Sequence, residues 1–239
     1  MNDDLRYMPH GANTIKGRAQ RVFRSFAYHL WQRKLTEFRG RSKPGSNLRI
    51  ADLGCGPGFL LENFAKWFPE AELIGIDTSD RLLEVARERC PTGHFIKGDV
   101  SSLPIQFASV DVLFALHVVE HLTVPADFFG EARRVLRPGG MLIIATPNAD
   151  GVGARLMKEK WVGHSDPTHI CLNGPAFWRQ ALANAGFSIQ RDGTTGLSGL
   201  PVLNKFPVSL IHWIPTFIFG YYPWELGEAY ICEAIRADC

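Results

Sequence analysis

The segment Ile50-Ala51-Asp52-Leu53-Gly54-Cys55-Gly56-Pro57-Gly58 narrows the folds open to this chain more than any other. An apolar strand pattern enters a turn with three glycines, and a helical pattern starts at once, from Phe59 to Trp67. Glycine accepts positive φ and lets a ligand approach the backbone closely. The start of the following helix offers N–H groups with no partner inside the helix. A strand, a glycine turn and a helix in this order suit a nucleotide-bearing cofactor. The dinucleotide fingerprint is G-x-G-x-x-G, built around a pyrophosphate. Here the spacing is G-x-G-x-G, and Phe59 holds the place that fingerprint keeps for glycine. The spacing therefore counts against a nicotinamide oxidoreductase.

The alternation continues downstream. Strand patterns cover Leu48 to Leu53, Glu72 to Ile76, His94 to Lys97, Val110 to Leu116, Met141 to Thr146, Gly186 to Arg191 and Ala229 to Arg236. Helical patterns cover Arg81 to Arg89, Ala126 to Leu136 and Gly174 to Ala185, and Arg137-Pro138-Gly139-Gly140 is read as the stop after the second of these. Strands alternating with helices predict an α/β fold with a parallel sheet covered on both faces. Residues 1–47 read as a basic N-terminal helical cap, helical from 14 to 39, and 48–239 as the main domain. Two insertions, 147–173 and 195–226, interrupt that domain. The second is rich in proline and in aromatic residues: Trp213, Phe217, Phe219, Tyr221, Tyr222 and Trp224.

Two acids extend the glycine-turn signal. Asp77 ends the second strand, 19 residues after Gly58, where a carboxylate can accept both hydroxyls of a ribose. Asp99 follows the third strand in Lys97-Gly98-Asp99-Val100, where an acid beside a backbone N–H can read the amino edge of adenine.

With these pieces, with Asp111, with His117-Val118-Val119-Glu120-His121 and with Arg134-Val135-Leu136-Arg137-Pro138-Gly139-Gly140, residues 48 to 146 resemble the class I S-adenosylmethionine-dependent methyltransferases. The resemblance is to the small-molecule branch, similar to quinone-precursor O-methyltransferases. It implies a Rossmann-like, seven-stranded, mostly parallel sheet of order 3-2-1-4-5-7-6, with the last strand antiparallel. It implies S-adenosylmethionine as cofactor and S-adenosylhomocysteine as product. It implies that Gly54, Cys55, Gly56 and Gly58 surround the methionine part of the cofactor, with Asp52 also among the cofactor-binding residues. Asp77 would hold the ribose with Thr78 nearby, Asp99 and Val100 would address the adenine, and Leu116 and His117 would border the methionine and the reaction centre.

The expected reaction is in-line methyl transfer to a small or lipophilic, ring-bearing acceptor, with oxygen favoured over nitrogen or carbon. Placement of the acceptor supplies much of such a rate. A hydroxyl acceptor also calls for a base near neutral pKa. Four histidines lie in the right regions: His117 and His121 around Glu120, and His164 and His169 around Asp166. The candidates stay open among these four. His117-x-x-Glu120-His121 also resembles the E-x-x-E-H pattern of metal-dependent members, which include small-RNA ribose 2′-O-methyltransferases. His117 replaces the first acid, and imidazole with carboxylate suits zinc or a transition ion better than magnesium. No metal is assigned from the sequence.

A net charge of +2 does not announce nucleic acid or a membrane as partner. The basic residues Lys16, Arg18, Arg21, Arg24, Arg33, Lys34 and Arg39 read as a solvated helix face. Five scattered cysteines without a C-x-x-C pair read as thiols of a cytoplasmic protein. No apolar run is long enough to span a bilayer, and Phe206 to Tyr222 leaves shallow membrane contact open. The rival readings are a metal-dependent ribose 2′-O-methyltransferase acting on RNA and a non-catalytic cofactor-binding partner protein.

Overall fold

The computed structural model describes residues 28–29, 31–40, 47–197, 222 and 224–237. Its strands form a seven-stranded sheet of order β3-β2-β1-β4-β5-β7-β6, as the resemblance implied. The chain divides into two compact units between Val100 and Ser101.

In the first unit, β1 (Arg49–Leu53), β2 (Glu72–Asp77) and β3 (His94–Lys97) run parallel, with Ala51 opposite Ile74 and Ile76 opposite Ile96. Ile50, Ala51, Leu53 and Ile76 have no exposed surface, which is why these strands read as unbroken apolar runs rather than as alternation. Helix α1 (Phe59–Trp67) buries Leu60, Leu61 and Phe64 on one stripe. Helix α2 (Asp80–Arg89) buries Leu82, Leu83 and Ala86. Its N-cap is Ser79, whose Oγ accepts from the Leu82 N–H at 3.3 Å. Ser79→Ala should cost about 1 kcal/mol in a urea melt. An unchanged midpoint would show that the cap contributes nothing.

The described part of the N-terminal region is helical over 31–39. His29 stacks on Trp67, and Arg39 pairs with Glu70, so this helix meets α1 at the end away from the glycine turn. Lys34 is buried rather than solvated, while Arg33 pairs with Glu37 at 3.6 Å. Lys16, Arg18, Arg21 and Arg24 lie outside the described residues.

In the second unit, β4 (Val110–Leu116) pairs parallel with β5 (Leu136–Pro147), and β7 (Ala229–Arg236) runs antiparallel to β5 and to β6 (Phe187–Thr194). Helix α3 (Pro125–Val135) starts on a proline, whose missing N–H would be unpaired there anyway. The expected stop after it is instead strand. Leu136 is already extended, and β5 runs through Arg137-Pro138-Gly139-Gly140 into Met141. Gly139 at φ 73° and a register shift opposite Val110 and Val112 absorb the turn-like residues without ending the pairing. The insertion after β5 carries a short helix α4 (Val152–Met157) and two single 3-10 turns, Lys158–Lys160 and Val162–His164. Helix α5 (Pro175–Asn184) leads into β6. Among the described residues no helix is long and apolar enough to cross a membrane.

Candidate active site

The residues that carry the chemistry fall into two groups, one in each unit. In the first unit the chain leaves β1 with Gly54, Gly56 and Gly58 at φ 67°, 51° and 76°, the left-handed region that L side chains rarely adopt. A Cβ on Gly58 would also lie 3.0 Å from the Ala86 Cβ, so glycine lets α1 and α2 approach here.

Asp77 holds this turn in place. Its Oδ2 accepts from the Gly56 N–H at 2.8 Å, and its Oδ1 accepts from the Ser79 N–H at 2.9 Å. The Cys55 N–H donates to the Ile76 carbonyl at 2.9 Å, and the Gly98 N–H donates to the Asp77 carbonyl at 3.1 Å. The sequence pointed to Asp77 as a ribose ligand. Its role in clamping the glycine loop was not visible there, and Ser79, the second partner, was missed. The one sequence signal for Ser79 is a serine placed just before an apolar helix.

Asp52 is buried, and burial together with the charge of Asp77 pushes its pKa up to about 8. Burial, reinforced by Asp52 and Asp77, likewise raises the Cys55 thiol, which stays neutral and is no nucleophile. The folded Asp52 therefore binds a proton that the unfolded chain, with its lower pKa, has released. That contribution to stability is complete below about pH 4 and is lost as pH rises through about 8, with a slope of at most about 1.4 kcal/mol per pH unit. Asp52→Asn should flatten this decline in urea melts taken from pH 4 to 9. An identical slope in the variant would show that another group causes it. Thr78 and Asp99 are exposed and Val100 is buried, all on the segments that leave β2 and β3.

In the second unit, β4 ends at the half-buried Leu116. His117 then takes φ 58°, a costly conformation for a side chain with a Cβ, and its N–H donates to the Ala145 carbonyl at 2.7 Å. Its Nδ1 lies 3.2 Å from Oε1 of Glu120, while 59% of its side chain stays exposed. Crowding by the surrounding protein lowers the His117 pKa. The hydrogen bond and charge of Glu120 outweigh this, so the ring titrates above its ordinary value.

Glu120, fully buried, is the hub; the sequence placed it between two candidate bases and in the metal-binding-like pattern, without counting it among the candidate site residues. Its carbonyl accepts from the Ile170 and Cys171 N–H groups at 3.0 and 2.9 Å, which ties the 3-10 turn Val119–His121 to the insertion. That tie brings His169 beside His121, with ring centroids 4.8 Å apart. His164 does not join them. It is exposed, its Nδ1 is bonded to the Lys158 carbonyl at 3.1 Å, and its ring meets Trp161 edge-on. Trp161 is itself buried, and its Nε1 donates to Oε2 of the buried Glu228 at 2.8 Å. Tyr222 stacks on Trp224 at 4.4 Å, and its N–H and carbonyl bond those of Thr194 at the end of β6. Trp213, Phe217, Phe219 and Tyr221 lie outside the described residues.

Residues 51–144 match the family model described as a methyltransferase domain. A trans-aconitate 2-methyltransferase of Afipia carboxidovorans is 33% identical over 147 residues, which cover 58% of this chain and 57% of that protein. A malonyl-[acyl-carrier protein] O-methyltransferase of Hahella chejuensis is 38% identical over 107 residues, covering 44% of this chain and 38% of that one. The chain thus spans less than two thirds of these relatives. Among solved structures, the plantazolicin methyltransferase BpumL, in complex with a desmethyl plantazolicin analogue and S-adenosylhomocysteine, superposes with a TM-score of 0.63 at 20% identity, covering 89% of this chain and 86% of that one. That likeness concerns the fold. The matched segment contains the glycine turn, Asp77, Asp99 and the His117–His121 stretch, and the sheet order is the one these motifs implied. Over residues 51–144 the chain is thus similar to the class I S-adenosylmethionine-dependent methyltransferases.

Proposed function

We propose that the chain is an S-adenosylmethionine-dependent methyltransferase that methylates an oxygen of a small acceptor in the cytoplasm. The observation that carries the reading is the Asp77 clamp on a turn with three left-handed glycines. Each Asp77 oxygen spends one lone pair on a backbone N–H and keeps another for a ribose hydroxyl. Gly54, Cys55, Gly56 and Gly58 give the methionine part a surface without bulky side chains, and the buried Asp52 stands near the end of β1 just before the turn. Asp99 and Val100 take the adenine, Thr78 flanks the ribose, and Leu116 borders the sulfur.

When bound, S-adenosylmethionine supplies a sulfonium methyl whose carbon accepts an acceptor lone pair as the C–S bond breaks towards sulfur. The protein's part is placement and, for a hydroxyl, removal of a proton. Glu120 can only accept from His117, so Nδ1 carries the shared hydrogen and Nε2 keeps a free lone pair. This orientation suits His117 as the base, and His164, turned towards Trp161, has no such role. The relatives' names support oxygen: one is an O-methyltransferase, and the other takes trans-aconitate, whose heteroatoms are all carboxyl oxygens. The stacked Tyr222 and Trp224 support a ring-bearing or lipophilic acceptor. Free thiols at Cys55, Cys90, Cys171 and Cys232 support a reducing compartment.

The test is production of S-adenosylhomocysteine from S-adenosylmethionine in the presence of carboxylic acids, phenols and amines. Turnover above the acceptor-free background with an oxygen acceptor is expected. Turnover with amines alone would overturn the oxygen assignment, and none with any acceptor would favour a cofactor-binding partner protein.

A further inference from the structure

We propose that Glu120, His121 and His169 form a binding site for one divalent zinc-like transition-metal ion, with Glu120 Oε2 and the two Nε2 atoms as ligands. The site lies wholly in the second unit and does not depend on the cofactor reading. One potential ligand atom from each of the three residues lies within 4.8 Å of the others. Ligands around tetrahedral zinc sit roughly 3.3 Å apart at the usual bond lengths, so a shift of about 1.5 Å closes the shell. His121 and His169 are half-buried rather than locked in a core, which leaves room for that shift.

Three separate features aim these residues at a cation. First, Oε2 of the fully buried Glu120 has no hydrogen-bond partner, while Oε1 is occupied by His117. Buried carboxylate oxygens ordinarily find a donor or an ion. Second, Nδ1 of His169 lies 2.7 Å from the Gly163 carbonyl, which can only accept. Nδ1 is therefore the protonated nitrogen, and Nε2 carries a lone pair. Third, Nδ1 of His121 lies 3.1 Å from the Thr168 carbonyl and 2.9 Å from Thr168 Oγ1. That hydroxyl gives its hydrogen to Asp166 Oδ1 at 2.6 Å, so it accepts from His121 as well. His121 is thus fixed in the same tautomer as His169. Ring nitrogens bonded to carbonyls with the opposite nitrogen left open are the outer-shell arrangement of metal-binding histidines.

The donor set selects the ion. Two imidazoles and one carboxylate suit zinc, cobalt or iron, whereas calcium and magnesium take oxygen ligands. Three protein ligands leave a further position for water or an acceptor oxygen. Bound there, the ion would join the turn Val119–His121 to the insertion a second time, beside the bonds from Ile170 and Cys171 to Glu120.

The experiment is titration of tag-free, chelator-washed full chain with Zn²⁺ by calorimetry and with Co²⁺ by visible absorption. One equivalent per chain is expected, with the intense visible band of cobalt in a site of low coordination number, unaffected by millimolar Mg²⁺. Affinity should fall at least about tenfold in each of His121→Asn, His169→Asn and Glu120→Gln, and stay unchanged in His164→Asn. The two histidine variants are half-buried and report even where the Glu120 change impairs folding. Absence of stoichiometric binding in the wild type overturns the proposal. So does binding that the His121 and His169 variants leave intact, or that the His164 variant abolishes. Titration of the same samples with S-adenosylhomocysteine reads the cofactor site independently.

Discussion

Asp77→Ala is expected to weaken binding of S-adenosylhomocysteine at least about 100-fold, worth roughly 2.7 kcal/mol, and to destabilise the cofactor-free protein. The variant removes the acceptor for the Gly56 and Ser79 N–H groups, both partly buried. Hydrogen bonds to a charged group contribute about 1.5–3 kcal/mol each, and the abandoned donors add a desolvation cost. One effect runs the other way. The Asp77 charge helps to hold the Asp52 carboxyl protonated, so its removal eases Asp52 and offsets part of the loss. A net loss of about 2–4 kcal/mol in urea melts at neutral pH is therefore expected. Asp77→Asn keeps one acceptor oxygen and turns an amide donor towards the other N–H, so it should fall between wild type and alanine. A loop that kept its stability without Asp77 would be held by its other bonds, Cys55 N–H on the Ile76 carbonyl and Arg89 on the Pro57 carbonyl, and the clamp would then be incidental.

Trp161→Ala should destabilise the protein by about 3–5 kcal/mol. Trp161 is 1% exposed and is among the largest fully buried side chains described. Its loss opens a cavity and removes the only hydrogen bond to the Glu228 carboxyl among the described residues, since Oε1 has none. The ring and its carboxylate partner are closely enclosed. Gly163 lies against the ring, where a Cβ would come within 2.2 Å, and Gly153 lies against Glu228, where a Cβ would come within 2.0 Å. Trp161→Phe keeps most of the volume but still orphans Glu228, at about 1–3 kcal/mol. Loosening should be local first. Gly163 carries the carbonyl that orients His169, so trypsin should cut faster after the exposed Lys158 and Lys160 in the alanine variant than in wild type. Equal cleavage rates would show that Trp161 does not secure this segment.

Much of the architecture was legible because parallel strands buried on both faces leave long apolar runs. Phe59–Trp67, His94–Lys97, Val110–Leu116 and Ala229–Arg236 stand where the pattern put them. The start of β5 was not legible. Arg137-Pro138-Gly139-Gly140 has the composition of a stop, and only pairing with β4 shows that a left-handed Gly139 can be carried inside a strand. At the site, the residue types were visible and their partners were not. Asp77 announced itself by its place at the end of a strand, whereas its two backbone donors depend on how the glycine loop folds back. The histidines could be recognised as a set of four. Their division, with His121 and His169 around Glu120, His117 on its other oxygen and His164 outside, depends on the Ile170 and Cys171 bonds to Glu120, which join segments some 50 residues apart.

The claim on which the rest stands is that the turn around Cys55, with Asp77, holds the adenosyl cofactor. Calorimetric titration of the full chain with S-adenosylhomocysteine tests it most directly. Saturable binding to one site per chain, with a dissociation constant of roughly micromolar order, is predicted. No heat of binding up to millimolar ligand would contradict the account.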